Sequence, residues 1–499
     1  MPAEDSIWRR SWYPVAFLKD LQPDRPSAFT LLAEDLVLWY DRQAGSWRAF
    51  ADVCPHRLVP LSQGRINGQG ELECPYHGWC FNGEGRCTAI PQADPGASID
   101  TRRSQCRPYA TAEAQGLLFV FSGDPAEAAA VPLPLVPVLE ENPSAWTVQD
   151  SFRDLPYDAL TLLENVLDVS HVPFTHHATV GKRETAGPVA LELTASGAAG
   201  FSGLWREGPR RGSLGSQTTE FTGPGLMIHD LTTKAGARFQ TVVYATPIRR
   251  GACRLFVRLP FFFGSPWPGR LLKLRPEWLQ HLGNHVVLED DQLFLHWQER
   301  VLEERLLEEQ GGGTALARAC YLATRSDVYV SALHDWVELV GGGPFPGAPL
   351  PERLNELPLL ERFDSHTRHC HSCRSGDQRL AVLRLGSVPA AALALVAAAW
   401  WGPSAAGAAA MALALGAAGV WLQAGRWRQA LRFGSPLPPR NRNYLGRFPG
   451  ASWLNSQSRQ RRTLGRRYRC WRCDRSGRTT GDQRRAVRQA AFVQRPQRI

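Results

Sequence analysis

Two short runs carry the residues that can do chemistry: Cys54-Pro55-His56 and, after seventeen intervening residues, Cys74-Pro75-Tyr76-His77-Gly78-Trp79. Each run offers one thiolate and one imidazole. Two thiolates on one iron and two neutral imidazoles on the other complete a [2Fe–2S] cluster. Exchanging two anionic thiolates for imidazoles lowers the negative charge on the cluster. Its potential then lies above that of an all-cysteine ferredoxin. A Cys₂His₂ set can also hold zinc. Zinc fingers, however, usually pair Cys with Cys and His with His, whereas each run here mixes them. Both runs begin Cys-Pro, and the second reaches Gly78, where backbone can approach a bulky cofactor. The pattern is that of a Rieske centre, so Cys54, His56, Cys74 and His77 are the expected cluster ligands.

A second constellation runs from Glu164 to His177. Residues 158–172 read as a helix with Leu160, Leu163, Leu167 and Val172 apolar. Pro173 ends it, because the residue before proline disfavours the α region. Glu164, Asp168 and His171 then share a face, with His171 on the last turn and His176 on the loop beyond. Two histidines so placed can bind one metal. Two His and one carboxylate leave positions open for O₂ and substrate, as in non-haem Fe(II) oxygenases. The stretch 284–310 reads as a second helix whose start holds Glu289, Asp290 and Asp291. Periodicity does not choose among these acids.

The order of these motifs resembles the large subunit of Rieske non-haem iron oxygenases, and within it the pheophorbide a oxygenase group. That group also takes in a Rieske subunit and a protochlorophyllide-linked component of the chloroplast translocon, with chlorophyllide a oxygenase more distant. The matching stretches are 54–65, 74–93, 152–184, 288–300 and 369–373. The resemblance implies Asp291 as the third ligand, beside His171 and His176. It implies that Asp168 bridges a Rieske histidine of a neighbouring subunit to His171, and that Asn165 lies near the iron. The absence of cysteine at Val59 and Tyr76 resembles the lower-potential, oxygenase-type centre. Cys370 and Cys373 resemble the group's C-terminal C-x₂-C, read there as a thiol switch; two idle cysteines or half of a zinc site are the plainer alternatives.

The elements that position these residues suggest an α+β protein. Residues 1–125 alternate β-type runs (28–36, 37–41, 117–122) with Gly- and Pro-rich turns, as an antiparallel β domain would. Residues 126–145 read as a linker. Residues 126–375 form the catalytic domain, of helix-grip type, with strands over 239–244 and 253–259. From 385 to 425 there is no formal charge, about twice the ~20 residues of one spanning helix. Trp400-Trp401-Gly402-Pro403-Ser404 divides the run, so a transmembrane hairpin is expected within 380–430. Arg379 and Arg384 flank one end, and Arg426, Arg428 and Arg432 the other. This places both ends on the cytoplasmic side.

Net charge is +10, yet residues 440–499 hold seventeen Arg and two Asp. The rest of the chain has 40 basic against 45 acidic residues. The segment 431–499 reads as a basic, disordered tail. Anionic lipid headgroups suit it better than specific nucleic acid. The lone pair Cys470 and Cys473 is a weak zinc signal. Reduced thiolates favour an intracellular compartment. With a fold element already at 8–18, no transit peptide is expected. That points to a plasma or thylakoid membrane of a prokaryotic phototroph, or to a mature form.

The expected activity is membrane-anchored oxygenation: one electron at a time from a ferredoxin-type reductant, through the [2Fe–2S] cluster, to a mononuclear Fe(II) that activates O₂. By resemblance the substrate is a chlorophyll-derived tetrapyrrole and the assembly a homotrimer. The alternative is a non-catalytic membrane redox sensor using the cluster and Cys370/Cys373.

Overall fold

Short β-forming runs broken by Gly and Pro build three small antiparallel sheets in the N-terminal part. One holds Trp12–Phe17, Leu117–Phe121 and Thr111–Ala114; the second holds Ser27–Leu31, Glu34–Asp41, Ser46–Ala51 and Pro108–Tyr109. The third holds Arg65–Ile66, Leu72–Glu73, Cys80–Phe81 and Cys87–Ala89. This computed structural model describes residues 6–208, 214–234, 236–308 and 315–435. Most of the basic tail, with Cys470 and Cys473, lies outside the described residues.

The run expected as one strand over 28–36 is a hairpin turn instead. Leu32 and Ala33 both take left-handed φ, at 50° and 64°. Their N–H groups donate to the carbonyls of Pro247 and Ile248 at 3.0 and 2.7 Å. No Gly or Asn announces this turn. Bonds from a distant strand hold it, and they tie the small sheets to the large one. The 126–145 segment, expected as a linker, contains the single turns Pro125–Ala130, Pro137–Glu141 and Pro143–Ala145. Val136, Val138 and Leu139 on it are buried.

The large sheet has seven antiparallel strands. Their spatial order is Thr147–Leu155, Ala252–Phe262, Arg238–Arg249, Leu226–Thr233, Leu214–Thr222, Gly200–Trp205 and Leu191–Gly197. The strands expected over 239–244 and 253–259 lie within two of these. The helices Ala159–Leu167 and Val328–Leu339 pack on this sheet, and the 32-residue helix Glu277–Glu308 runs along its edge strand Thr147–Leu155. The architecture is the expected α+β arrangement. The long helix starts seven residues earlier than expected. Gly283 sits inside it, where an added Cβ would meet open space. A single helical glycine costs only about 1 kcal/mol. Glu289, Asp290 and Asp291 therefore stand well inside the helix rather than at its start.

The last two described helices, His371–Trp401 and Ala405–Arg432, form an antiparallel pair. Gly402 turns the chain with φ of 55°, and Ser404 caps the second helix by accepting from the Gly407 N–H at 3.1 Å. Both are long and apolar enough to cross a membrane. Leu385, Leu393, Val396, Trp400, Leu413 and Leu415 are exposed along them. The base of the pair is built into the protein. Asp377 accepts from Arg428 at 2.9 Å and from Arg432 at 2.8 Å. Arg362 donates to the carbonyl of Ala430 at 2.7 Å.

Beneath that base lies a buried ion network. Glu289 accepts from Arg153 at 2.8 Å and from Arg362 at 2.6 and 2.5 Å. All three side chains are at most 4% exposed. Burial opposes ionisation of Glu289, but the two guanidiniums hold it below its ordinary value of 4.5. Its stabilising effect is therefore complete above about pH 4.5 and lost as pH falls through the lower folded value. Glu289→Gln leaves two buried cations facing a neutral group. It should cost about 3–5 kcal/mol, measured by urea unfolding at pH 7. The difference from wild type should shrink as the pH is lowered below 4.5. An equal cost at all pH values would remove the charge from the explanation.

Candidate metal centres

The two Cys-Pro loops share one backbone design. Cys54 N–H donates to Val59 O at 2.9 Å, and Leu58 N–H returns to Cys54 O at 2.9 Å. In the second loop Cys74 N–H donates to Trp79 O at 2.8 Å, and Gly78 N–H to Cys74 O at 3.2 Å. The fourth residue after each cysteine is left-handed: Leu58 at φ 59° and Gly78 at φ 72°. Glycine does this freely, whereas leucine rarely does. Leu58 is 73% exposed, so its side chain is not what holds the turn.

The four side chains divide by type. Cys54 and Cys74 are buried and hydrogen-bond one another. The rings of His56 and His77 lie 4.5 Å apart at the surface side, and Trp79 stacks on His56 at 4.6 Å. Thiols on one side and imidazoles on the other match a cluster with one iron for each pair. Burial first, then Cys74, pushes the Cys54 thiol up to about 12. Such a pair gives up its protons to a cation more readily than to water. The imidazole side faces outward.

The second site departs from the expected single helix. The helix Ala159–Leu167 buries Leu162, Leu163 and Leu167 and then stops. Asp168 leaves the helical region at ψ 94°, and its Oδ1 accepts from Ser170 N–H at 2.8 Å and Ser170 Oγ at 2.6 Å. Such local side-chain bonds compete with helix. A second short helix follows, Val172–Thr175. Pro173 opens it rather than closing the first, since a proline at the start of a helix forfeits no bond. Glu164, Asp168 and His171 therefore share no helical face. Glu164 turns to His334, accepting from its Nε2 at 2.7 Å.

His171 and His176 flank that four-residue helix, and their Nε2 atoms meet at 3.3 Å. Asp291 Oδ2 lies 3.1 Å from His176 Nε2. One ligand atom from each of the three falls within 4.8 Å of the others. Metal–N and metal–O bonds of about 2.1 Å put neighbouring ligand atoms about 3 Å apart, so the set fits one ion. Asp291 Oδ1 is buried with no hydrogen-bond partner, a cost that a cation would relieve. Burial would lower the His176 pKa, but Asp290 and Asp291 raise it to about 9. The same carboxylates would draw a metal.

The other residues expected near the iron stand at different distances from it. Asp168 Oδ2 stands 3.8 Å from His171 Nδ1, and the Asp168 backbone carbonyl bonds the same nitrogen. Asn165 is half-buried on the helix before them. Asp290, one of the acids left open by periodicity, has Oδ2 3.5 Å from His176 Nδ1 and accepts from Thr179 Oγ1 at 3.0 Å. Its neighbour position gave no signal beyond a repeated acid. Cys370 and Cys373 come together with His281 and His366, which the sequence reading did not connect to them.

The sequence matches the Rieske [2Fe-2S] domain over residues 11–108, the 3-ketosteroid 9alpha-hydroxylase C-terminal domain over 124–260 and pheophorbide a oxygenase over 221–308. The fold is similar to that of a theobromine-bound variant of Pseudomonas putida NdmA. The TM-score is 0.52 at 18% identity, over 66% of this chain and 89% of that one. The fold and the two sites define a Rieske oxygenase. The chloroplastic pheophorbide a oxygenase of Arabidopsis thaliana is 34% identical over 404 residues, 76% of this chain and 74% of that protein. The chloroplastic flavonoid 8-hydroxylase 2 of Ocimum basilicum is 29% identical over 414 residues, 76% and 75%. The chain belongs to the pheophorbide a oxygenase family of Rieske oxygenases. Its cofactors are accordingly a Rieske [2Fe–2S] cluster and a mononuclear iron, and its co-substrate is O₂. The expected placement in a prokaryotic membrane is overturned, since these relatives are chloroplast proteins of plants.

Asp291→Ala should lower iron from about three to about two atoms per chain and leave the Rieske EPR signal unchanged. Asp290→Asn keeps the ligands but loosens His176, so iron affinity should fall roughly 10- to 100-fold. Metal analysis over an iron titration separates the two. Loss of iron from Asp290→Asn alone would exchange their roles.

Proposed function

We propose that this oxygenase acts on a chlorophyll-derived tetrapyrrole of the pheophorbide a or chlorophyllide a type, at an iron held by His171, His176 and Asp291. The convergence of those three side chains around an unpaired buried carboxylate oxygen carries the reading. The iron, when bound, supplies O₂ activation. The chain's own residues position it: Asp290 and Thr179 fix His176, and the Asp168 backbone carbonyl fixes His171. Similarity to pheophorbide a oxygenase over three-quarters of the chain supports the substrate class. The flavonoid hydroxylase relative makes a flavonoid the second candidate.

A ferredoxin-type protein is the proposed reductant. His56 or His77 of one subunit passes each electron to Asp168 and His171 of its neighbour in a homotrimer. The exposed imidazole side of the cluster and the one-third-exposed Asp168 carboxylate suit a path across a subunit boundary. The apolar helix pair anchors the enzyme in a membrane, which also concentrates a lipophilic substrate.

Reduced enzyme should consume O₂ only when the right member of a panel of pheophorbide, chlorophyllide, protochlorophyllide and flavone is present. Asp168→Asn should keep both metals and lower turnover at least 100-fold, because the amide retains shape and loses charge. No substrate-dependent uptake with both metals loaded would favour the redox-sensor alternative. Full turnover by Asp168→Asn would remove it from the electron path.

Membranes bearing the full chain should retain it through washing at high salt and pH 11. Two apolar helices with exposed Leu, Val and Trp favour lipid over water. Quantitative release would show that the pair packs against protein instead.

A further inference from the structure

A second set of ligand-type side chains lies apart from both iron sites. His281 on the long helix, His366 in the turn Phe363–Thr367, and Cys370 and Cys373 at the start of the helix His371–Trp401 bring one ligand atom each within 4.8 Å of one another. All four are at most 1% exposed. His281 Nδ1 and His366 Nε2 are 3.2 Å apart. Cys373 Sγ is 3.2 Å from His366 Nε2 and 3.3 Å from His281 Nδ1, and Cys370 Sγ is 3.6 Å from His281 Nδ1. A tetrahedral ion with Zn–N of about 2.05 Å and Zn–S of about 2.3 Å has edges of about 3.3 Å (N–N) and about 3.6 Å (N–S). The observed separations, 3.2 Å for N–N and 3.2 to 3.6 Å for N–S, lie at those edges or up to about 0.4 Å inside them.

The far nitrogens decide the tautomers. His281 Nε2 faces the carbonyl of Asp150 at 2.9 Å, and His366 Nδ1 that of Phe152 at 2.6 Å. A carbonyl only accepts, so in the neutral rings the protons sit there. The near nitrogens then point two lone pairs at each other. Thiol S–H groups are weak donors and would relieve this poorly, whereas a divalent cation satisfies all four atoms together. Ring N–H to backbone carbonyl is also how metal-bound histidines are usually oriented.

We infer that His281, His366, Cys370 and Cys373 form a closed, structural Zn²⁺ site. Tetrahedral S₂N₂ selects zinc or an iron–sulfur centre, and four atoms this close enclose a single ion. With every ligand buried, no position is open to substrate. The ion would join three parts: the edge strand Thr147–Leu155 through its carbonyls, the long helix, and the first turn of the apolar helix pair. It would clamp that pair to the catalytic body. A redox-active Cys370–Cys373 dithiol is the competing use of the same residues.

The full chain, purified in detergent from zinc- and iron-replete cells, should hold about one zinc per chain besides its irons. Cobalt replacement should give thiolate-to-cobalt charge transfer and the intense visible bands of a tetrahedral site. Cys373→Ser and His281→Gln should each lose at least 90% of the zinc while the Rieske EPR signal persists. Should those variants not fold, wild type answers alone. A mercurial should then release zinc in step with two protected thiols. Less than about 0.1 zinc per chain, with Cys370 and Cys373 free to alkylate or joined in a disulfide by mass mapping, would overturn the site. Asp291→Ala should leave the zinc content unchanged, so loss of the iron reading and loss of the zinc reading are separable.

Discussion

A row of ionisable side chains buried along one helix is the constraint on which this structure depends. His281, His285, Glu289, Asp290, Asp291, His296 and Glu299 of Glu277–Glu308 are each at most 6% exposed. Buried polar groups without partners are costly. The neighbouring strand Thr147–Leu155 and the three residues after it supply four of the partners. Asp150 O serves His281, Arg153 serves Glu289, Pro156 O serves His296, and Asp158 N–H serves Glu299. From His281 to Glu299 the helix rises about 27 Å at 1.5 Å per residue. The strand and the bend after it at Pro156 and Tyr157 present these partners in the same order as the helix presents its side chains, so one register satisfies four contacts.

That register places the chemistry. Asp290 and Asp291 can meet His176 only if the helix is fixed along its axis, and Arg153 with Glu289 fixes it at the residue just before them. Toward its start, the same helix and strand present His281 and two carbonyls to the base of the apolar pair. The iron site, the ion network and the Cys₂His₂ cluster are thus successive stations on one interface. They share no side chain, so each can be emptied without removing a ligand-type group from another.

Local chemistry was legible in the sequence, and long-range convergence was not. The Cys-Pro loops each carry a thiol and an imidazole within three or four residues, so spacing alone grouped them. His171 and His176 group for the same reason. Asp291 lies more than a hundred residues further on, beside two other acids, and only the family resemblance singled it out. The boundary at Leu167 was misread because Asp168 and Ser170 end the helix by side-chain bonds, while the visible proline starts the next one. His281 is about ninety residues before Cys370. Nothing in the C-x₂-C spacing points back to it, so the sequence leaves the pair open between a thiol switch, half of a zinc site and two idle cysteines.

The central claim is that electrons stored at the outward-facing imidazole loops reach O₂ at His171, His176 and Asp291. A single-turnover experiment tests it most directly: enzyme reduced beforehand and freed of reductant, mixed with ¹⁸O₂ and pheophorbide a, and followed by Rieske EPR and product mass. The account predicts that the reduced-cluster signal is lost only when substrate is present, with ¹⁸O in the product. Loss of that signal at the same rate without substrate, or product lacking the label, would contradict it.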